Sequence, residues 1–116
     1  MTPATALAAL LGGAGALHFA APRAFDTAVP PELPGSARAW TLGSGVVELA
    51  CAAAVAAPRT RRAGALASAA LFVAVFPGNV HHVRAARTPL QRRVAWARLP
   101  LQVPLVLWAL RVRDSA

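Results

Sequence analysis

The sequence is short of charge, and shortest of acid. Charged residues fill 14% of its 116 positions, only four of them acidic, and lysine is absent, so that all twelve basic residues are arginine. A soluble all-α domain of this length needs far more polar surface than that. The single cysteine, Cys51, excludes an intrachain disulfide and a CxxC redox centre; it reads as a small apolar filler of a helix. Zinc-type ligand spacing is also missing. His81 and His82 are adjacent, about 100° apart on a helix, and read as interfacial residues rather than a metal pair. With no cofactor motif and no nucleophile constellation, nothing marks intrinsic catalysis or a catalytic residue.

What is present is apolar. Hydrophobic residues make up 57% of the chain and the mean hydropathy is +0.51. Four apolar stretches, about residues 3–21, 40–57, 63–81 and 94–112, are each near the length that crosses a hydrocarbon core as a helix. The fold class expected is therefore all-α: an integral membrane four-helix bundle forming one domain over residues 1–116. The first stretch lacks the basic start of a secretory signal and carries His18 where a signal is apolar, so it reads as a retained span. The net charge of +8 would suit nucleic acid, but the arginines sit at span ends and links, with no soluble basic face. Anionic headgroups of the lipid bilayer are the simpler partner, and no nucleic acid is expected.

The stretch Trp40–Ala57 carries Glu48 near its middle, at an insertion cost of about 2.5–3.5 kcal/mol. Thr41, Ser44, Glu48 and Cys51 share one helical face. Gly12, Gly13 and Gly15 give the first span a smooth surface for close packing, and Gly15 and His18 lie together. Between these spans, residues 22–39 form a proline-rich cap loop in which Pro30, Pro31 and Pro34 forbid a regular helix. In the third span Ser68, Phe72, Val75, Asn79 and His82 share a face, and Pro77 bends its last turns. In the fourth, Arg98, Gln102 and Leu105 share a face, Pro100 and Pro104 bend or loosen the helix, and Trp96 and Trp108 suit the two interfaces.

Chain direction orders these groups in depth. Spans one and three finish, and spans two and four start, on the side of the cap. At a rise of 1.5 Å per residue, His18 and Asn79 lie within about a turn of that side, Arg98 roughly one turn in, and Glu48 and Gln102 roughly 12–13 Å in. All five fall in one half of the bilayer, either as a site or as groups that satisfy one another and set the packing. The expectation is that Glu48 and Arg98 pair directly or through one water, with Gln102 and Asn79 hydrogen-bonded to the pair.

The motifs HFxxPxxF (His18–Phe25), VPPELP (Val29–Pro34), SGVVEL (Ser44–Leu49), VFPGNV (Val75–Val80) and WARLPLQ (Trp96–Gln102) together resemble the DoxX-like family of small bacterial membrane proteins. That resemblance covers nearly the whole chain. It implies a four-helix bundle in the cytoplasmic membrane with both termini in the cytoplasm, whereas the arginine count is nearly balanced between the two sides. Some members of that family are linked to thiol or oxidative-stress oxidoreductase complexes, or named as quinone oxidoreductase subunits; the lone cysteine argues against a thiol role. His18, Glu48, Asn79, Arg98 and Gln102 are the positions that match. Three functions follow as expectations. The first is a non-catalytic membrane subunit or scaffold docking a membrane or peripheral oxidoreductase or a stress-response partner. The second is a site for a quinone or other lipid-soluble ligand under the cap, with Glu48 and His18 exchanging protons. The third and weakest is a small transporter working as a homo-oligomer.

Overall fold

Three of the four long rods begin where a side chain can serve their free N–H groups. The computed structural model describes residues 1–116, all of whose regular structure is helical. Helix α1 spans Pro3–Ala20, capped by Thr2, which accepts from the Thr5 N–H at 3.1 Å. Helix α2 is a short turn of helix, Pro22–Asp26, and α3 runs Ala37–Ala56. Ser36 caps α3 by accepting from the Ala39 N–H at 3.1 Å. Gly35, at φ +84°, makes the reversal that delivers Ser36, a conformation L side chains avoid. Helices α4 (Arg61–Ala74) and α5 (Phe76–Ala85) are two parts of one rod. Helix α6, Pro89–Ser115, starts with a reciprocal capping box between Thr88 and Gln91.

Those caps move the expected boundaries. Helix α3 starts before Trp40 because Ser36 can cap it, and α6 starts at Pro89 because proline suits a first helical position. The basic link expected over residues 84–93 shrinks to residues 86–88. The cap is not wholly irregular, since Pro22 opens α2 and the forbidding prolines come later. Pro77 breaks the third rod at Val75 rather than merely bending it.

Three helical segments are long and apolar enough to cross a membrane: Pro3–Ala20, Ala37–Ala56 and Arg61–Ala85. Helix α6 is the longest, at 27 residues, but carries Arg92, Arg93, Arg98, Arg111, Arg113 and Asp114, and falls outside that set. Large apolar side chains point outward all along the rods, among them Val46, Val73, Leu101 and Val103. Such a surface suits lipid and is poorly suited to water. The longest dimension, 42 Å, matches a bilayer including its headgroup regions, about 40–45 Å.

The rods form a ring. Helix α1 packs mainly on α3, α3 on α4, and α4 on α6, while α1 and α6 meet sparsely and close the circuit. So α3 and α6 stand diagonally opposite. The α1–α3 contact is backbone against backbone. A Cβ on Gly15 would meet the Gly45 carbonyl at 3.1 Å, and one on Gly45 would meet His18 Cβ at 2.8 Å and Phe19 Cε2 at 2.9 Å. Of the three glycines expected to smooth α1, only Gly15 is needed there; a Cβ on Gly13 would meet nothing and one on Gly12 only ordinary contact.

The apolar core lies in the half of the ring near the termini, built from Leu7 and Leu11 of α1, Cys51 and Val55 of α3, Ala65, Ala69 and Phe72 of α4, and Ala109 and Val112 of α6. The α3–α4 turn closes beneath it, where Arg61 donates to the carbonyls of Val55 (2.8 Å) and Ala56 (2.9 Å) and Thr60 to that of Ala54 (2.7 Å). These bonds satisfy end carbonyls of α3 that would otherwise lack donors. Trp108 donates from Nε1 to the Pro3 carbonyl at 3.0 Å, tying α6 to the start of α1.

Gly45→Ala is expected to lower thermal stability in detergent by about 1–3 kcal/mol, as overpacking does. Gly13→Ala is the control and should be neutral or stabilising, because a helix interior favours alanine. Equal effects at the two positions would show that the close crossing of α1 and α3 is not needed.

Candidate ligand cavity

The cap-side half of the ring is hollow. A cavity of about 560 Å³ lies under the cap, between α1, α3, the α4–α5 rod and α6. Most of its wall is apolar, with Leu11, Phe25, Phe72, Leu101 and Leu105 among the contributors. All five polar residues placed at this depth by the helical rise line it: His18, Glu48, Asn79, Arg98 and Gln102. Thr41 and Ser44, from the same stripe of α3 as Glu48, line it too.

His18 and Glu48 meet because Gly15 and Gly45 let their helices touch. His18 is buried, and its Nδ1 donates to the Ala14 carbonyl at 2.6 Å. A carbonyl can only accept, so that nitrogen carries its hydrogen. Glu48 Oε2 lies 3.4 Å from the same Nδ1, but the hydrogen is directed at Ala14. Oε2 is therefore buried with no hydrogen-bond donor from the protein. It is an orphaned acceptor in the wall of a cavity.

Glu48 and Arg98 form no direct salt bridge. No nitrogen of Arg98 lies within 4.0 Å of the carboxylate, whose basic neighbour is His18. Arg98 Nη1 instead donates to His82 Nδ1 at 3.3 Å, which leaves the hydrogen of a neutral His82 on Nε2. The cause is the ring order, which sets α3 and α6 on opposite sides of the cavity with no close packing between them. Neither amide serves the pair as expected. Gln102 donates through Nε2 to the Phe72 carbonyl at 2.5 Å. That carbonyl loses its helical donor at the Val75 break, so a side chain of α6 replaces a backbone bond of α4. Asn79 is buried against the cavity and makes no side-chain hydrogen bond. His82 is the residue whose role sequence reading missed, although its place on the face of Asn79 was a usable signal. No three His, Cys, Asp or Glu side chains converge to hold a metal ion.

The cap is pinned over this space. Phe25 stacks on the His18 ring with centroids 3.8 Å apart and 18° between planes. Asp26 accepts from Thr41 Oγ1 at 2.6 Å and from Arg38 Nε and Nη2, each at 3.0 Å. The Thr41 hydroxyl first, and the Arg38 guanidinium next, hold the Asp26 carboxyl below the usual carboxylate range. Trp40, in the cavity wall, donates from Nε1 to the Pro34 carbonyl at 2.7 Å.

The fold and the cavity define a class: an all-helical protein with several membrane-crossing candidates and one half-enclosed space holding an acid, two bases and two amides. The chain belongs to the family DUF8561, a domain of unknown function, whose family model matches residues 7–113. None of the curated proteins and none of the solved structures matches it.

A double-mutant cycle in detergent should give a coupling of about 0.5–3 kcal/mol between His18→Gln and Glu48→Gln, as neighbours do. Glu48→Gln with Arg98→Gln should be additive to within about 0.5 kcal/mol. The reverse pattern would restore the diagonal ion pair.

Proposed function

We propose that the chain is a multi-pass protein of the bacterial cytoplasmic membrane, DoxX-like in architecture, with α6 as a fourth span. Its function is to bind a small lipid-soluble molecule with a polar head. One observation carries this reading: a mostly apolar space of about 560 Å³ lined by both a guanidinium and a carboxylate, one of whose oxygens is buried with no donor. The volume is that of ordinary small-molecule sites, and a few converging polar groups in an apolar wall are their usual composition. A group set only to stabilise the bundle would have its acceptors satisfied. A quinone fits the chemistry. Its carbonyl accepts from Arg98, and in the quinol form its hydroxyl donates to the Glu48 carboxylate beside His18. The ligand reading is preferred to the scaffold that docks an oxidoreductase, and to the oligomeric transporter, because neither of those needs the cavity.

Decylubiquinone titrated into the purified protein is the direct test, with Trp40 in the cavity wall as reporter. Saturable quenching of tryptophan fluorescence is expected, weakened about tenfold or more by Arg98→Gln, since a hydrogen bond to a charged group contributes about 1.5–3 kcal/mol. Quenching that never saturates, and is the same in the variant, would remove the ligand reading. A stoichiometric protein partner at purification would then favour the scaffold.

The proposed topology puts both termini in the cytoplasm and the cap outside. Reporter fusions at Met1 and Ala116 should both read as cytoplasmic. Opposite locations would leave α6 outside the membrane-spanning set.

A further inference from the structure

The cavity is not sealed on all sides, and its opening has a chemical character. Six of its lining residues are also exposed at the outer surface: Leu33 and Trp40 at the cap, Ala74 and Pro77 beside the Val75 break, and Leu10 of α1 and Leu101 of α6, at 42% and 53%, on the rods below the cap. A residue that faces both a cavity and the outside forms the rim of an opening. Leu10 and Leu101 belong to the one neighbouring pair of rods that packs sparsely. Helices α1 and α6 are joined near the termini, through the Trp108–Pro3 hydrogen bond and the apolar core. On the opposite side, between α3 and α5, the cap covers the space. A Cβ on Gly78 of α5 would meet the Ala28 carbonyl of the cap at 3.2 Å, and the Pro34 carbonyl holds Trp40. Leu10 lies about 12 Å below His18 along α1, counting eight residues at the helical rise, beyond the level at which the cap is pinned. By the same rise Leu101 is about 18 Å from the start of α6. Both rim residues are therefore at mid-bilayer depth in the proposed topology.

We infer that the cavity is filled laterally, from the hydrocarbon core of the bilayer through the gap between Leu10 and Leu101, and that its ligand is a long-tailed amphiphile whose head lies between Glu48 and Arg98 while its tail leaves by that gap. The inference rests on the ligand reading above. Three features of the opening select such a ligand. Its rim is leucine, with no charge to admit water or a polar solute. Arg98 and His18 lie on the cap side of it, with Glu48 about level with it, so a head pulled towards Arg98 draws the tail in behind. A tail too long for about 560 Å³ is accommodated, because the part outside the ring lies against lipid.

A tail-length series in lipid nanodiscs separates this inference from the reading it rests on. The probes are the tail-free dimethoxy-methyl-benzoquinone, its decyl homologue and a homologue with a long isoprenoid tail. Each is titrated against tryptophan fluorescence at matched mole fraction in the membrane. All three should bind saturably, the longest within about threefold of the decyl form. In the doubly substituted Leu10→Phe/Leu101→Phe protein, whose two changed positions also line the cavity, the two tailed probes should weaken tenfold or more relative to the tail-free probe. Both leucines are exposed, so the substitutions leave the core alone. Binding of the tail-free probe with exclusion of the long tail would show a closed cavity and overturn the lateral gap alone. Equal effects of the double substitution on all probes, or none on any, would place the tail's path elsewhere. Failure of every probe would remove the ligand reading and this inference together.

Discussion

The contact on which the rest depends is the crossing of α1 and α3 at Gly15 and Gly45. A Cβ on Gly15 would meet the Leu49 side chain at 2.9 Å and the Gly45 carbonyl at 3.1 Å, and one on Gly45 the Gly15 carbonyl at 3.3 Å, so the two helices can approach this closely only without them. One turn further on, the same approach sets His18 against Glu48. Because α3 is held to α1 on one side and to α4 on the other, α6 is left to close the ring diagonally opposite. The placement of the only acid within the apolar spans thus follows from two missing methyl groups.

The ring is filled unevenly. Below mid-height, small and branched side chains pack to complete burial, as at Leu7, Val55, Ala65 and Ala109. Above it, the proline break at Val75 and the pinned cap hold the walls apart. Two apparent costs are met by groups from neighbouring helices. The carbonyl freed in α4 takes the Gln102 amide, and the last carbonyls of α3 take Arg61 and Thr60. Glu48 is the exception, since its Oε2 has no such donor. The freed backbone carbonyls are answered from within, while the side chains left without partners, Glu48 through Oε2 and Asn79, both belong to the cavity lining.

Sequence alone made the helical class and the depth of the polar groups legible, because both depend on periodicity and rise, which are local. His18, Glu48, Asn79, Arg98 and Gln102 line one space, as their depths require. Which of them touch was not legible. Rise gives a coordinate along the bundle axis and none around the ring, so Glu48 and Arg98 were complementary in charge and close in depth while belonging to helices that do not pack together. The Gln102–Phe72 bond was hidden for a related reason: it follows from where Pro77 breaks the rod, and proline marks the bond it removes but not the replacement. Ser36, Thr88 and Gln91 were readable as caps and went unused, which is why α3 and α6 start earlier than the apolar stretches do.

The Val75 break divides one span into parts that answer to different neighbours. Helix α4 packs against both α3 and α6, whereas α5 packs mainly on α6 and is linked to α4 by few contacts besides the chain itself. Val75 keeps helical bonds to Leu71 and from Asn79, but none links residues 72–74 directly to residues 76–78, and an α6 side chain holds the last turn of α4. Hydropathy counts Arg61–Ala85 as one rod. The change of packing partner falls inside that rod, beside the cavity, and not at any of the connecting loops.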